Sequence, residues 1–260
     1  MDKPFHLVYQ IPVLPQVAHV APLRPVHWLK LGWEDLRHNP APSIAHGLLL
    51  VGVGWLMLLF FSAQIDLLAA AVSGYLLVGP IFGAVFYELS RRRAAGQAAT
   101  FDASLDGALR NGKRLVHLGL VLAVLAILWV LLSGLLFERA FGGIVPSVQD
   151  NFYQTIVDWG SPKFFVTYLA LGAVFALLAF SLAAVAAPMI FDRGVDTNKA
   201  MLTSLKVVGA NPAAMAVWAG LIAALTAVGF ASFLLGLAIV LPLLGHATWH
   251  AYRDLISRGD

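Results

Sequence analysis

Six long apolar runs constrain this chain more than any other feature. Each run has 19 to 28 residues without Asp, Glu, Lys or Arg, and together they make up about half of the 260 residues. A helix rises about 1.5 Å per residue, so about 20 residues cross a hydrocarbon core about 30 Å thick. We therefore expect an all-α, polytopic membrane protein with six transmembrane helices. The predicted spans are 44–63, 67–87, 115–137, 164–191, 213–231 and 233–252.

Composition leaves little room for a soluble domain. Apolar residues make up 60% of the chain and charged residues only 12%, against about a quarter in soluble domains. The longest stretches outside the spans are residues 1–43 and the predicted outer loop 138–163, which are too short for an independent catalytic core. Because the chain has no cysteine, disulfides, thiolate nucleophiles and cysteine-ligated metal clusters are excluded. Function is therefore expected within the helix bundle or at its two rims.

The distribution of basic residues predicts the orientation. Fifteen of the seventeen Lys and Arg residues lie in the N-terminal segment, the connections 90–114 and 192–211, or the tail 253–260. The positive-inside rule places these segments, and thus both termini, in the cytoplasm. The pI of about 9.3 then reflects contact with anionic lipid headgroups rather than with nucleic acid. The predicted headgroup contacts are Arg91, Arg92, Arg93, Arg110, Lys113 and Arg114.

A similar layout occurs three times along the chain. The amphipathic stretches 28–39, 101–111 and 197–211 each end in Asn and precede the first, third and fifth predicted spans. In the first stretch, Leu29, Trp33 and Leu36 would share one helical face, as in a helix that lies in the membrane interface. Each returning span then carries a proline. The pattern predicts an internal repeat of three hairpins, each preceded by a short interfacial helix.

Histidines provide the most specific candidate site. His46, His117, His246 and His250 all fall near the predicted cytoplasmic ends of spans, and the last two are four residues apart on one helix. Such residues could bind a metal ion or supply axial ligands to a haem. Histidines at a membrane interface can equally bond to backbone groups and headgroups. We therefore expect no bound cofactor and keep a metal or haem as the alternative.

Small residues at four-residue spacing predict close helix packing or a face for a partner. Such spacing allows two helix backbones to approach one another. The residues concerned are Gly79 and Gly83, Gly220 with Ala224, and Ser232 with Gly236.

Catalytic and coupling groups are scarce in the sequence. The predicted spans lack the ionisable groups that ion-coupled transporters use, and the chain has no phosphate-binding glycine loop and no nucleophile motif. We therefore expect a non-enzymatic accessory or assembly subunit that binds a larger membrane complex. A channel or carrier for a small or amphipathic solute is the first alternative, and a haem- or metal-binding module is the second.

Three runs carry a resemblance to a known family. They are 77–91 (LVGPIFGAVFYELSR), 192–205 (DRGVDTNKAMLTSL) and 241–254 (LPLLGHATWHAYRD). With them the chain resembles, over residues 29–255, the bacterial integral membrane proteins called domain of unknown function 2189. The resemblance implies six helices and an inner-membrane location. It implies no established activity and no site residues.

The charge distribution gives a direct test of topology. In this cysteine-free chain, Ser257→Cys should resist a membrane-impermeant maleimide in intact spheroplasts, because the tail is expected in the cytoplasm. Ser147→Cys, in the predicted outer loop, should react. The opposite labelling pattern would reverse the predicted orientation.

Overall fold

The fold is known from a computed structural model that describes residues 14–110, 112–141 and 162–256. Regular secondary structure in these ranges is helical, apart from one antiparallel bridge between Val17 and Ile256. The predicted all-α class is therefore confirmed for this part of the chain. The helices are α1 (Arg24–His38), α2 (Pro40–Phe61), α3 (Ile65–Phe82), α4 (Ala84–Ala94), α5 (Phe101–Leu109), α6 (Gly112–Phe141), α7 (Pro162–Ala183), α8 (Ala186–Arg193), α9 (Thr197–Ala210), α10 (Pro212–Ala231) and α11 (Leu237–Leu255).

Four helical stretches in the described residues are long and apolar enough to cross a membrane. They are Pro40–Phe61, Gly112–Ala140, Lys163–Arg193 and Pro212–Ala231, and they coincide with the predicted first, third, fourth and fifth spans. The predicted second span is divided between α3 and α4, and the predicted sixth span corresponds to α11. Neither of these two is among the four. The structure thus supports a membrane protein with several apolar helices, whereas six spans are not confirmed.

Two of the predicted returning helices are broken near a proline. Pro80 lies in the last turn of α3, and the chain turns at Gly83 before α4 begins. Pro188 lies in α8, just after the break that separates α8 from α7. Proline lacks the amide hydrogen that would bond to the carbonyl four residues earlier, which explains the break just before Pro188. Pro242, in contrast, lies inside the continuous helix α11.

Short helices precede three of the longer helices, as the sequence predicted. These are α1, α5 and α9, which lead into α2, α6 and α10. Asp196 accepts hydrogen bonds from the first free amides of α9, and Thr100 does the same for α5. Pro40 and Pro212 begin α2 and α10, a position where the missing amide hydrogen costs nothing. A threefold repeat of complete hairpins stays a prediction.

Helix α1 packs against the protein with a face that differs from the apolar face predicted to lie in the membrane interface. Trp33 is 45% exposed, and the residues packed against the rest of the protein include Trp28, Gly32 and Asp35 together with the predicted Leu36. The buried face is therefore rotated by about one residue from the predicted one. It includes a carboxylate because Asp35 finds partners on other helices.

Helix α11 lies at the centre of the described structure. It packs against α1, α2, α4 and α10, and most of its side chains are buried. Three glycines allow the backbones to come close: a Cβ on Gly32 would lie 2.7 Å from the Ala247 nitrogen, one on Gly47 would overlap with Ala238, and one on Gly245 would overlap with the Phe86 ring. Helices α1 and α2 thus run along α11 in succession and bring their polar side chains to it.

Candidate functional site

Polar side chains from four helices meet at the second half of α11. Most of them are buried, and we call the group the polar cluster. Its members are Asp35 of α1, Ser43 of α2, Ser90 and Arg93 of α4, and His246 and His250 of α11.

His246 is the most deeply enclosed member of the polar cluster. Its side chain is completely buried, and both ring nitrogens have partners: Nε2 lies 3.0 Å from the Ser43 hydroxyl and Nδ1 lies 2.7 Å from the Ser90 hydroxyl. Because the single proton of the Ser90 hydroxyl is donated to Asp35, Ser90 accepts a bond from Nδ1–H, and the Ser43 hydroxyl donates to Nε2. The ring therefore needs no further ligand to remain buried.

Asp35 is the charged centre of the polar cluster. Its Oδ1 forms an ion pair with Arg93, and its Oδ2 accepts a hydrogen bond of 2.8 Å from His250 Nε2. Burial raises the pKa of this carboxyl group, but hydrogen bonds from His250 and Ser90 lower it, and the net effect is a pKa below the ordinary value. Asp35 is thus held as a carboxylate, and its charge is compensated within the protein.

His46 lies nearby but bonds to a different helix. Its Nε2 is 2.7 Å from the Ser104 hydroxyl of α5, and its ring stacks on Phe101 with centroids 4.1 Å apart. The ring of Phe86 makes edge contacts with both His46 and His246. His46 and His246 are therefore separated by an aromatic ring rather than directed at a common point.

The predicted metal or haem ligands are thus only partly brought together. His246 and His250 share Asp35 as a neighbour, whereas His117 lies exposed on α6. Among the described residues no group of three or more His, Asp or Glu side chains is arranged to hold a metal ion. The nitrogens that face the buried groups are already hydrogen-bonded. The donor set therefore fits a structural network better than a metal centre.

Sequence reasoning missed half of this cluster. Asp35 falls in the amphipathic stretch before α2, where we expected charged residues to lie on the solvent face. Its spacing from Trp28 and Gly32 was the available signal, because residues i, i+4 and i+7 share a helical face. Ser43 and Ser90 gave no signal, since a lone serine near the end of an apolar run usually bonds to its own helix.

The predicted headgroup contacts divide into two groups. Arg93 belongs to the polar cluster, while Arg91, Arg92 and Arg110 all form ion pairs with Glu88. Glu88 lies within one helical turn of Arg91 and Arg92, and its side chain is fully buried. Lys113 and Arg114 are exposed in the first turn of α6.

The predicted small-residue faces also divide. Gly83 sits against Tyr87 in the turn between α3 and α4, and Ser232 bonds to Gly229 and Gly236 in the turn between α10 and α11. These positions therefore build turns within the chain. A side chain added at Gly79 or Gly220 would instead meet no other atom within 4 Å.

Removing the Asp35 carboxylate should destabilise the protein strongly. Asp35→Asn leaves the charge of Arg93 without its partner, so we expect the purified protein to lose about 3 kcal/mol of stability at neutral pH, measured by thermal unfolding. Glu34→Gln, at the exposed neighbouring position, should change stability by less than about 0.5 kcal/mol.

Wild type and Asp35→Asn also provide a test of pH dependence. The pKa of Asp35 is lower in the folded protein than in the unfolded chain. Its contribution to stability is therefore complete above the unfolded pKa of about 4 and is lost as the pH falls through the folded pKa. The difference in stability between wild type and Asp35→Asn should therefore become smaller below about pH 4. A difference that widens on acidification would contradict this role of the carboxylate.

Comparison with known proteins gives one family. The family model for predicted integral membrane proteins called domain of unknown function 2189 matches residues 67–192, which run from α3 to α8. The C-terminal run 241–254, which also suggested this family, lies outside the match. No curated protein and no solved structure matches the chain. The chain is therefore an integral membrane protein of unknown function that is similar to this family over residues 67–192.

Proposed function

We propose that this protein is a non-enzymatic accessory or assembly subunit that binds a helix of another membrane protein. The observation that carries the proposal is the outward face of α10. Apart from Val228, the exposed residues between Ala213 and Ala227 and their neighbours on that face are small, although the helix is long and apolar enough to cross a membrane. The residues are Ala213, Ala216, Gly220, Ala223, Ala224 and Ala227.

Their spacing is that of a helix contact surface. Residues 213, 216, 220, 223 and 227 alternate steps of three and four, so they line one side of the helix. The other side buries Ala214, Met215 and Trp218 against the bundle. Lipid tails need no small residues, whereas a second helix does, since small side chains let two backbones approach within van der Waals contact.

The chain uses the same device internally. Gly32 and Gly47 make room for α11, and in both places the space is already filled by that helix. At Gly220 the corresponding space is open. We infer that a helix of a partner protein occupies it in the membrane.

The buried polar side chains support action by contact rather than by turnover. Asp35, Glu88, His46 and His246 are buried, and each has a hydrogen-bond or ion-pair partner within the chain. A general acid, a general base or an ion-coupling carboxylate needs access to a substrate or ion. Groups that are enclosed and paired in this way serve to hold helices together.

The proposal includes six spans with both termini in the cytoplasm. The first turn of α6 carries Lys113 and Arg114, so a chain that leaves the basic side along α2 must return before α6 begins. Helices α3 and α4 supply that return, because Phe86 of α4 contacts His46 near the start of α2. Helix α11 returns the chain from α10 to the N-terminal segment, where Ala18 bonds to Leu255.

A bulky residue on the α10 face should abolish the contact. We would attach a photoreactive maleimide at Ala216→Cys in native membranes, where we expect a discrete adduct with another protein. Adding Gly220→Leu should lower its yield about tenfold or more, because an overpacked contact costs about 1 to 3 kcal/mol. The monomer has space for this side chain.

Gly134→Leu is the matched control. Gly134 is also exposed on a membrane helix with open space beside it, but it lies between the large exposed residues Leu131 and Leu135. It should leave the adduct unchanged. An adduct of twice the chain mass of 27.9 kDa would identify a second copy of the chain and contradict the accessory role. Saturable solute flux by the isolated protein in liposomes would favour the carrier instead.

A further inference from the structure

Three arginines converge on one buried carboxylate beside the start of α6. The Glu88 oxygens accept bonds from Arg91, Arg92 and Arg110 over distances of 2.7 to 2.8 Å, and the Glu88 side chain has no exposed surface. We call these four residues the arginine cluster. Three positive charges share one negative charge in it, so the cluster carries an excess of two charges.

Two helices fix the arginine cluster. Arg91 and Arg92 lie in the last turn of α4, while Arg110 follows the last residue of α5. Helix α5 can cross directly over the carboxylate because Gly107 has no side chain. A Cβ at this position would overlap with Glu88. The guanidinium groups are therefore held in place before any ligand arrives, which lowers the entropy cost of binding.

The arginines keep donors available on the outside of the cluster. Their side chains are 31%, 24% and 53% exposed for Arg91, Arg92 and Arg110. A guanidinium has five N–H donors, and the described contacts use only one or two on each. A tetrahedral oxyanion such as a phosphate is the ligand that forked guanidinium donors suit best.

Neighbouring carboxylates do not cancel the excess charge. Asp192 lies near Arg91, but it also accepts a hydrogen bond from Tyr252 and lies 3.7 Å from Arg253. Asp102 and Asp106 are on the exposed side of α5. Residues 88–114 contain six basic residues against three acidic ones, and among the described contacts only Arg93 of the six is paired with a carboxylate of α1, so the potential around the cluster stays positive.

The position of the cluster indicates where the phosphate would come from. Arg110 lies two residues before Gly112, which begins an apolar helix long enough to cross the membrane. Asp192, which lies near Arg91, is followed directly by Arg193, the last residue of another such stretch. The ends of these stretches meet through a bond from Thr197 to the Arg114 carbonyl. The cluster therefore lies at the depth of the lipid headgroups.

We propose that Arg91, Arg92 and Arg110, held by Glu88, form a binding site for the phosphate group of an anionic membrane phospholipid. This inference is independent of the partner proposed above. A phosphate oxygen would take the outer donors of the three guanidiniums, and the negative charge of the lipid would compensate the excess charge of the cluster.

Native mass spectrometry tests this site. The full-length protein would be reconstituted with equal amounts of phosphatidylglycerol and phosphatidylcholine, transferred to detergent, and the retained lipids counted. Wild type should retain phosphatidylglycerol preferentially. Arg110→Gln should lower this preference about fivefold, since a basic residue near the headgroups contributes about that factor. Arg110→Lys, which keeps the charge beside Glu88, should retain an intermediate preference.

The control removes an equal charge elsewhere on the same helix. Arg139 is exposed in the last turn of α6, at its opposite end, and Arg139→Gln should leave the preference unchanged. Equal retention of both lipids by wild type would overturn the proposal, and so would an equal effect of Arg139→Gln. Retention of inorganic phosphate, with no preference for phosphatidylglycerol over phosphatidylcholine, would assign the site to free phosphate and overturn the lipid assignment.

Discussion

The cost of burying a charge next to a membrane is the constraint on which this structure depends. Asp35 is almost completely buried, and it remains ionised because Arg93 and His250 approach it from two other helices. An unpaired buried carboxylate would cost several kcal/mol. The pairing therefore requires α1, α4 and α11 to take up one arrangement. The serine bonds to His246 add α2 to the same set.

Close backbone approach makes this polar cluster possible. Without side chains at Gly32, Gly47 and Gly245, helices α1, α2 and α4 come near enough to α11 for short polar side chains to reach one another. The same kind of surface recurs on α10 around Gly220, where no helix among the described residues covers it. Polar pairing thus accounts for the arrangement of the helices inside the bundle. The uncovered small residues account for the proposed contact with a partner outside it.

The sequence predicted features that depend on neighbouring residues and missed those that depend on distant ones. Apolar length located α2, α6 and α10, and the amphipathic stretches located α1, α5 and α9. The partners that keep Asp35 ionised could not be predicted in this way, since Arg93 and His250 are 58 and 215 residues away. His117 had the same local signal as His46 yet lies exposed, because no helix in the described part of the chain packs over it.

We propose that the buried histidines are held by the chain's own side chains and not by a bound metal or haem. Metal content and visible absorbance of the protein, purified without chelators, test this claim most directly. We expect less than about a tenth of an equivalent of any transition metal and no haem band, because a structural metal binds too tightly to be lost on purification. One equivalent of metal or haem per chain, lost on His246→Ala, would contradict the account.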